Sequence, residues 1–340
     1  MSLTSKRPNR RQLLKLGALS ATALAMPAVI TSRANAMTPV TMQFDWKFNV
    51  QFAGLFAAKE AGLFEAAGID VTFKEWENGI NVVDMAAEAE ADNVFSCAEQ
   101  NLIIAAQAEG KPVKTLATMF QASPYGLMTG PDTPLASLDD LKGASIGVHV
   151  DGVKVMALVK GVNGIADDDI GIVEIPYEGK FDKALSGELY AVQCYTVDEP
   201  VGVAGTYDVT PNVFRLSDAG FRSTAQTIVA SDAMIADKPE LVSAFLKATF
   251  DGWRLALADV PGTAELVATK YAVPGSKYTD VAYQAASLAL VKDYVELGLT
   301  PETIGQIDTA AYTRAAELML EYGIVEQLPN IADTLSVEML

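Results

Sequence analysis

The alternation of apolar and polar positions predicts a strand–helix–strand unit early in the chain. Residues 40–44 alternate Val, Met and Phe with polar neighbours, as a half-buried strand does. An apolar-rich helix is expected to start between residues 51 and 54 and to end at Gly68, because glycine commonly terminates helices. A second strand over residues 69–73 completes a βαβ unit. Ligands of such units lie at the carboxyl ends of the strands, so the polar loop after residue 44 is a candidate binding segment.

The same alternation continues through the middle of the chain and predicts two α/β lobes. Strands are expected over residues 93–97, 114–120, 144–148, 170–175 and 189–194, with helices between them. Strands that alternate with helices favour a mostly parallel sheet. We expect the chain to cross into a second lobe near residues 125–129 and to return near residues 226–230. The predicted boundaries are 37–126 for the first part of lobe I, 127–225 for lobe II, and 226–340 for the rest of lobe I with C-terminal helices.

The first 36 residues have the pattern of an export signal. Arg10 and Arg11 lie in a basic start typical of a twin-arginine signal, an interrupted apolar stretch follows, and residues 34–36 (Ala-Asn-Ala) form a small-residue cleavage site. The alternative is a basic tail followed by a packed helix. No later segment has the roughly twenty uninterrupted apolar residues of a membrane span. We therefore expect a periplasmic protein without membrane insertion.

Composition indicates a globular and strongly acidic protein. Hydrophobic residues make up 50% of the chain, which is incompatible with a disordered segment. The first 36 residues contain six basic residues and no acid, so the remainder carries a net charge of −24 rather than −18. That charge repels nucleic acid and suits neutral or cationic ligands, although solvation of an acidic surface explains it equally well.

Residues typical of enzymes are few. His149 is the single histidine, Cys97 and Cys194 are the two cysteines, and no glycine-rich phosphate loop or nucleophile elbow occurs. Histidine and cysteine are too few for a metal site, and no cofactor is expected. Catalysis by carboxylates alone stays open, because a sequence does not show which acids converge. Two free, buried thiols are the expected state of the cysteines.

Candidate ligand-binding residues lie at predicted strand ends and helix starts. Trp46 is suited to stacking on a planar ring with Tyr125 or Tyr195 on the other side, although a core position is the alternative. Phe48, Phe52 and Trp76 are expected in the core. Acids at such ends favour amino groups or cationic rings, unless they are solvated surface groups. The predicted ligand-binding set comprises Asp45, Trp46, Gln51, Glu77, Asn78, Cys97, Glu99, Tyr125, His149, Asp151, Tyr195, Asp198 and Glu199.

Three stretches resemble a known family. Residues 45–71 (DWKFNVQFAGLFAAKEAGLFEAAGIDV) resemble the opening of the periplasmic binding proteins related to thiamine-pyrimidine synthases, the NMT1/THI5-like family. Residues 92–98 (DNVFSCA) lie where those proteins have a ligand-lining strand end, and residues 186–200 (SGELYAVQCYTVDEP) resemble their segment ending in Asn-Glu-Pro. Asp198 replaces that asparagine, and the cysteine-rich motif of the synthases has no counterpart here.

The resemblance implies a type II periplasmic binding protein of two α/β lobes joined by a two-strand hinge. Such a protein is a monomer that delivers a small-molecule ligand to the membrane permease and ATPase subunits of an ABC importer. The absence of arginine from the candidate strand ends favours a thiamine-precursor pyrimidine over an anion. A flavin, a cationic amine, a sulfonate or nitrate are alternatives, as are a periplasmic ligand-sensing subunit and a periplasmic enzyme that works by carboxylates.

Overall fold

Two five-stranded sheets organise the computed structural model, which describes residues 37–89, 92–177 and 179–340. The first sheet has the order β2-β1-β3-β10-β4 and contains strands β1 (Thr38–Gln43), β2 (Ile69–Lys74), β3 (Val94–Ala98), β4 (Val113–Phe120) and β10 (Ala225–Ser231). The second has the order β7-β6-β8-β5-β9 and contains strands β5 (Tyr125–Thr129), β6 (Ser145–Val148), β7 (Gly171–Glu174), β8 (Ala191–Tyr195) and β9 (Asn212–Arg215). The predicted two-lobe α/β architecture is therefore confirmed.

Both sheets are mixed, but in each of them four strands run in one direction and a single strand is reversed, so the prediction of mostly parallel sheets is confirmed in strand direction. β1 is parallel to β2 and β3, and β6 is parallel to β7 and β8. β10 runs antiparallel to β3 and β4, and β5 runs antiparallel to β8 and β9. The reversed strands are the ones that the chain reaches directly after crossing between the sheets. A crossing connection has no helix to return the chain to the same edge, which a parallel pair requires.

The helices that cover the first sheet follow the predicted pattern with one interruption. The expected helix over residues 51–68 consists of a 3₁₀ turn (Val50–Phe52), α1 (Ala53–Glu60) and α2 (Leu63–Ala66). Gly62 has a φ of +70° between the two α-helices, a left-handed conformation that ends α1. The next helices are α3 (Val82–Ala87), whose first turn is capped by the Asn81 side chain, and α4 (Gln100–Ala108).

Helices also cover the second sheet and the C-terminal part of the chain. α5 (Val150–Val162), α6 (Lys180–Leu185) and α7 (Glu199–Tyr207) belong to the segment that forms the second sheet. After β10 come α8 (Asp232–Asp237), α9 (Pro239–Ala258), α10 (Val260–Leu266), α11 (Val281–Val295), α12 (Thr309–Glu321) and α13 (Ile331–Thr334). None of the helices in the described ranges is long and apolar enough to cross a membrane.

Close backbone contact joins α9 to α1. A Cβ atom at Gly252 would lie 2.1 Å from the Gly54 carbonyl oxygen, and one at Gly54 would lie 2.2 Å from the Trp253 ring. Trp253 is fully buried in the core beneath the first sheet, together with Phe44, Phe52 and Phe56. Two glycines therefore let the helices approach closely enough to enclose an indole ring.

The last long helix packs differently from the others. Tyr312 of α12 shares a core with Leu127 and Val159 of the second-sheet segment and with Ile104 of α4. Its hydroxyl also bonds Thr115 and Gln107, both at 3.0 Å. α12 therefore contacts both α/β halves, whereas the C-terminal helices were expected to cover the first lobe. The predicted twin-arginine signal over residues 1–36 lies outside the described residues.

Candidate functional site

A cleft of about 570 Å³ is lined by residues from both sheets and their loops. Its first-sheet side comes from the loop after β1, the loop after β2 and the start of α4. Its second-sheet side comes from the start of α5, the loop after β7 and the end of β8. These are carboxyl ends of strands and amino ends of helices, where open α/β sheets bind ligands.

An aromatic wall forms one side of the cleft. The rings of Trp46 and Trp76 stack with centroids 5.5 Å apart and planes inclined by 20°. Tyr177 contacts both rings, with centroid distances of 5.5 Å to Trp46 and 5.9 Å to Trp76. Each Trp nitrogen donates a hydrogen bond, Trp46 to the Tyr278 hydroxyl and Trp76 to the Ile80 carbonyl. Both indole planes are thereby fixed, which prepares a surface for stacking a planar ring.

Three carboxyl groups define a polar side of the cleft. Asp45 follows β1, Glu99 precedes α4, and Asp151 lies in the first turn of α5. The pKa of Asp45 is raised to about 7, because burial raises it by more than the hydrogen bonds from Gln226 and Cys97 lower it. Burial likewise raises the pKa of Glu99 and of Asp151, and the charge of Asp45 raises that of Glu99 further. Tyr195 donates to Glu99 Oε1 at 3.1 Å, and Tyr125 donates to Asp151 Oδ2.

The two acids after β8 are already paired with cations. Glu199 accepts from the buried Lys180 at 2.6 Å and from the Tyr195 backbone N–H at 2.5 Å. Burial acts to raise the pKa of Glu199, but Lys180 and Lys277 hold it below its usual value. Asp198 accepts from Lys277 at 2.7 Å and from the Tyr278 hydroxyl at 2.8 Å, and also bonds Tyr283. Neither acid is therefore a free acceptor.

His149 is held in its neutral form. Its Nε2 lies 3.1 Å from Lys180 Nζ, and its ring packs on Tyr177 at a centroid distance of 4.1 Å. Burial and the neighbouring Lys180 lower the pKa of His149 to about 3. The neutral imidazole can accept a hydrogen bond from Lys180, which also donates one to Glu199. The hydrogen-bonding requirements of the three side chains are thereby met within the group.

The structure brings most of the predicted site residues to this cleft. Those that line it are Asp45, Trp46, Gln51, Asn78, Glu99, Tyr125, His149, Asp151, Tyr195, Asp198 and Glu199. Glu77 is exposed in a turn and does not line the cleft, because the turn points its side chain to solvent. Cys97 lies one layer deeper, where its thiol contacts Gln226 Oε1 at 3.3 Å and Asp45 Oδ1 at 3.8 Å.

Several lining residues were missed or misplaced when the sequence alone was considered. Trp76 lines the cleft, although a core position was expected. Tyr177, Gln193 and Gln226 also line it. Gln193 accepts from the His149 backbone N–H at 2.9 Å, and a Cβ at Gly152 would lie 1.9 Å from its side-chain oxygen. Gly152, in the first turn of α5, was the sequence feature that could have indicated this contact, because the absence of a side chain there leaves room for Gln193.

Both cysteines are free and buried, as expected. Burial raises the pKa of the Cys97 thiol, and the adjacent Asp45 charge raises it further. Burial also raises the pKa of the Cys194 thiol. A cysteine nucleophile reacts as the thiolate, so neither thiol has the environment of a reactive cysteine. In the described part of the chain, no group of three or more His, Cys, Asp or Glu residues is arranged to hold a metal ion.

Solved structures with this architecture include periplasmic binding proteins and a desulfurization enzyme. The aliphatic sulphonate binding protein SsuA of Escherichia coli superposes with a TM-score of 0.66 at 15% identity, over 87% of this chain and 91% of that one. The desulfurization enzyme DSZB superposes with a TM-score of 0.58 at 15% identity, over 88% of this chain and 97% of that one. The protein therefore has the periplasmic binding protein fold, and the fold alone accommodates both binding and catalysis.

Sequence comparison identifies the family. Residues 49–263 match the family described as NMT1/THI5 like, so the chain belongs to the NMT1/THI5-like family. A curated relative, the riboflavin-binding protein RibY of Chloroflexus aurantiacus, is 28% identical over 340 residues, which cover 96% of this chain and 95% of the relative.

Proposed function

We propose that this protein is the periplasmic solute-binding component of an ABC importer and that it captures a planar nitrogen heterocycle in the cleft. The observation that carries the proposal is that the aromatic wall of Trp46, Trp76 and Tyr177 lines the same cleft as the carboxyl groups of Asp45, Glu99 and Asp151. Aromatic faces bind a planar ring, and acceptors bind its N–H, amino or hydroxyl donors. Pockets of this kind combine apolar walls with a few placed polar groups.

The domain organisation and export route extend this proposal. The first lobe would comprise residues 37–126 and 226–340, the second residues 127–225, and ligand binding would shift the population toward closure of the lobes. Residues 1–36 would direct export by the twin-arginine route. The monomer would then deliver its ligand to permease and ATPase subunits. We propose no catalytic role, because both thiols are held protonated and His149 is paired with Lys180.

Two ligand classes satisfy the geometry. A thiamine-precursor pyrimidine offers a planar ring with an amino group for the carboxyl groups. A flavin offers a larger ring system and a chain of hydroxyl donors. The volume of about 570 Å³ supports the larger ligand, as does the name of the riboflavin-binding relative. Both ligand classes fall within one proposal, since each has a planar ring to stack on the indoles and hydrogen-bond donors for the carboxyl groups.

Thermal unfolding in the presence of ligands tests the proposal. The panel contains aminopyrimidines, riboflavin, thiamine, amines, taurine and nitrate. A ligand at a hundred times its dissociation constant stabilises the folded state by about 2.7 kcal/mol. We expect such a shift with a planar heterocycle, and quenched flavin fluorescence if riboflavin stacks on an indole. A shift with taurine or nitrate alone would refute the proposed ligand class.

Substitution at the aromatic wall tests the stacking contact. Trp46→Ala should remove most of the affinity for the heterocycle. Tyr207→Ala is the matched control, because Tyr207 is an aromatic residue of α7 that is 40% exposed and does not line the cleft. Equal affinity of the Trp46→Ala variant and the parent protein would exclude a stacking role.

A further inference from the structure

The carboxyl groups on the polar side of the cleft have no lysine or arginine partner among the described residues. Neither Asp45 nor Glu99 forms an ion pair with a described residue, and the only such contact of Asp151 is His149 at 3.9 Å. His149 is neutral, because burial and Lys180 lower its pKa to about 3. The three carboxyl groups also act on one another, since the charges of Asp45 and Asp151 both raise the pKa of Glu99. A bound anion would raise the pKa values of these carboxyl groups further, so it would either be repelled by the ionised acids or bind only by forcing them to take up protons.

Two oxygens of these acids are available to a ligand. Glu99 is 4% exposed, and its Oε2 has no hydrogen-bond partner among the described residues, while its Oε1 accepts from Tyr195. Asp151 Oδ1 is buried and unpartnered within the same ranges, while Oδ2 accepts from Tyr125. Leaving a buried acceptor without a donor is costly, so the site is preorganised for a ligand that supplies donors.

The nearby cations are already committed elsewhere. Lys180 Nζ binds Glu199 and His149, and Lys277 Nζ binds Asp198. Lys111 is the only lysine, and no arginine is present, among the described residues that line the cleft. It forms an ion pair with Asp84. No cation is therefore left to receive a phosphate or sulfonate group, for which arginine or lysine is the usual partner.

We infer that the cleft takes the non-anionic, donor-bearing form of its ligand and rejects the corresponding phosphate ester or sulfonate. This inference rests on the proposed function and specifies its substrate class. Amino, imino or hydroxyl donors of the ligand bind Glu99 Oε2 and Asp151 Oδ1. A phosphate brings about −1.5 to −2 charges and offers mainly acceptor oxygens, so it would either be repelled by the ionised acids or bind only at the cost of protonating them.

Matched ligand pairs test the selectivity. The pairs are riboflavin with riboflavin 5′-phosphate, an aminopyrimidine alcohol with its phosphate ester, and ethanolamine with taurine. Affinities are measured by calorimetry on the whole exported protein. We expect the member that carries the phosphate or sulfonate group, in each pair that binds, to have at least a tenfold larger dissociation constant. A phosphate or sulfonate that binds as tightly as its partner in any pair overturns the inference.

The outcomes separate this inference from the proposed function. Binding of ethanolamine but not of any heterocycle would refute the heterocycle and leave the charge selectivity standing. Binding of the heterocycle and its phosphate ester with equal affinity would refute the charge selectivity and leave the proposed heterocycle standing. Binding of taurine alone would refute both.

Charge-neutral variants test the residues. Glu99→Gln and Asp151→Asn keep the side-chain shape and remove the ionisable group, so each should reduce at least threefold the ratio between the affinity for the uncharged ligand and the affinity for its phosphate ester. Two variants keep the test decisive if one of them unfolds. Glu240→Gln, at an exposed position of α9 that does not line the cleft, is the control and should leave the ratio unchanged. An unchanged ratio in both cleft variants would contradict the assignment.

Discussion

The indole nitrogen of Trp46 donates a 2.8 Å hydrogen bond to the hydroxyl of Tyr278. The same hydroxyl donates to Asp198 Oδ2 at 2.8 Å. Trp46 follows β1 of the first sheet, whereas Asp198 follows β8 of the second. One buried hydroxyl therefore connects the aromatic wall to the opposite side of the cleft.

Removal of that hydroxyl should weaken both stability and binding. Tyr278→Phe leaves the Trp46 N–H without its acceptor and takes a donor from the buried Asp198. Loss of a partner to buried polar groups costs about 1–3 kcal/mol. We expect the free energy of unfolding in urea to fall by that amount and the affinity for the stacked ligand to fall as well.

Tyr271→Phe is the matched control for this change. Tyr271 donates to Glu60 Oε1 at 2.6 Å in a solvent-exposed hydrogen bond. Solvent replaces an exposed hydroxyl readily, so we expect a loss of less than about 1 kcal/mol. Equal losses for the two variants would show that the Tyr278 hydroxyl has no special role.

The buried cation beside the cleft should be essential for stability. Lys180→Met leaves Glu199 without the charge that binds it at 2.6 Å. Breaking a buried ion pair by removing one partner is destabilising by about 3 kcal/mol or more. We expect the loss in a denaturant titration, together with partial recovery in the double variant Lys180→Met/Glu199→Gln.

An exposed lysine of the same helix provides the comparison. Lys183 pairs with Glu188 at 2.5 Å at the protein surface. Exposed ion pairs contribute about 0–1 kcal/mol, so Lys183→Met should change stability little. Two results would contradict the predicted pairing. One is a Lys180→Met variant as stable as Lys183→Met, and the other is a double variant less stable than Lys180→Met alone.

Asp45 should make stability depend on pH between about 4 and 7. Its pKa is about 7 in the folded protein, against an ordinary value of 3.8, because burial disfavours the charged form. The folded state therefore binds more protons than the unfolded state in this window. Stability from this group is present below pH 4 and is lost as the pH rises through 7.

The difference between Asp45→Asn and the parent protein measures this effect together with the smaller relief of Glu99, whose pKa the Asp45 charge raises in the same direction. One pKa unit corresponds to about 1.4 kcal/mol, so the variant should gain on the order of 3 kcal/mol relative to the parent from pH 4 to pH 7.5. The opposite contribution of His149, whose pKa is lowered to about 3, is common to both proteins and cancels. A flat difference for Asp45→Asn would refute the raised pKa.

The sequence is informative about the strands and the loops that follow them. The apolar pattern placed β1, β4 and β8 within one or two residues of their observed bounds, because β1 alternates buried and partly exposed positions and β4 and β8 are buried almost throughout. The candidate acids and Trp46 lie at the ends of such strands. The carboxyl ends of parallel strands meet at one edge of a sheet. The local pattern was therefore enough to predict most of the residues that line the cleft.

The remaining features depend on contacts between distant parts of the chain. β9 is short and partly exposed, so it has little apolar alternation and was not predicted, and Tyr177 follows β7 in a loop without a periodic signal. Gln193 lies inside an apolar strand, and its direction depends on pairing with β5 and β6. The pairing of Glu199 with Lys180 also joins residues that no local pattern relates.

The glycine contact between α9 and α1 predicts a large effect of one methyl group. Gly252→Ala would place Cβ 2.1 Å from the Gly54 carbonyl oxygen and 2.6 Å from Ala58 Cβ, so the helices must separate. Overpacking of a core costs about 1–3 kcal/mol. We expect a loss of at least this size by chemical denaturation.

A helical glycine with free space is the control. Gly205 lies in α7, and a Cβ atom at this position would have no heavy atom within 4 Å. Gly205→Ala should therefore stabilise the protein by about 0.5–1 kcal/mol through helix propensity. Changes of the same sign in the two variants would contradict the packing argument.

Gln226 combines a left-handed backbone with a position in the cleft. Its φ is +51°, and it lies at the start of β10, directly after the second crossing between the sheets. Its side chain donates to Gln51 Oε1 at 3.4 Å and accepts from the Cys97 thiol at 3.3 Å. A non-glycine residue in this conformation costs about 1–3 kcal/mol, and such strain persists mostly at functional sites. The side chain should therefore be retained for ligand contact rather than for stability.

Comparison with a second strained residue tests this view. Asp208, at the end of α7, has a φ of +52° but is exposed and does not line the cleft. Asp208→Gly should raise the free energy of unfolding by up to about 1 kcal/mol, because glycine relieves the strain. In Gln226→Gly the same relief is offset by the loss of a partner to the buried Gln51 and Cys97 side chains, which costs about 1–3 kcal/mol, so stability should not rise. Only Gln226→Gly should weaken ligand binding, by about tenfold or more, since it alone removes a carboxamide from the cleft. Unchanged affinity of Gln226→Gly would assign Gln226 a structural role instead.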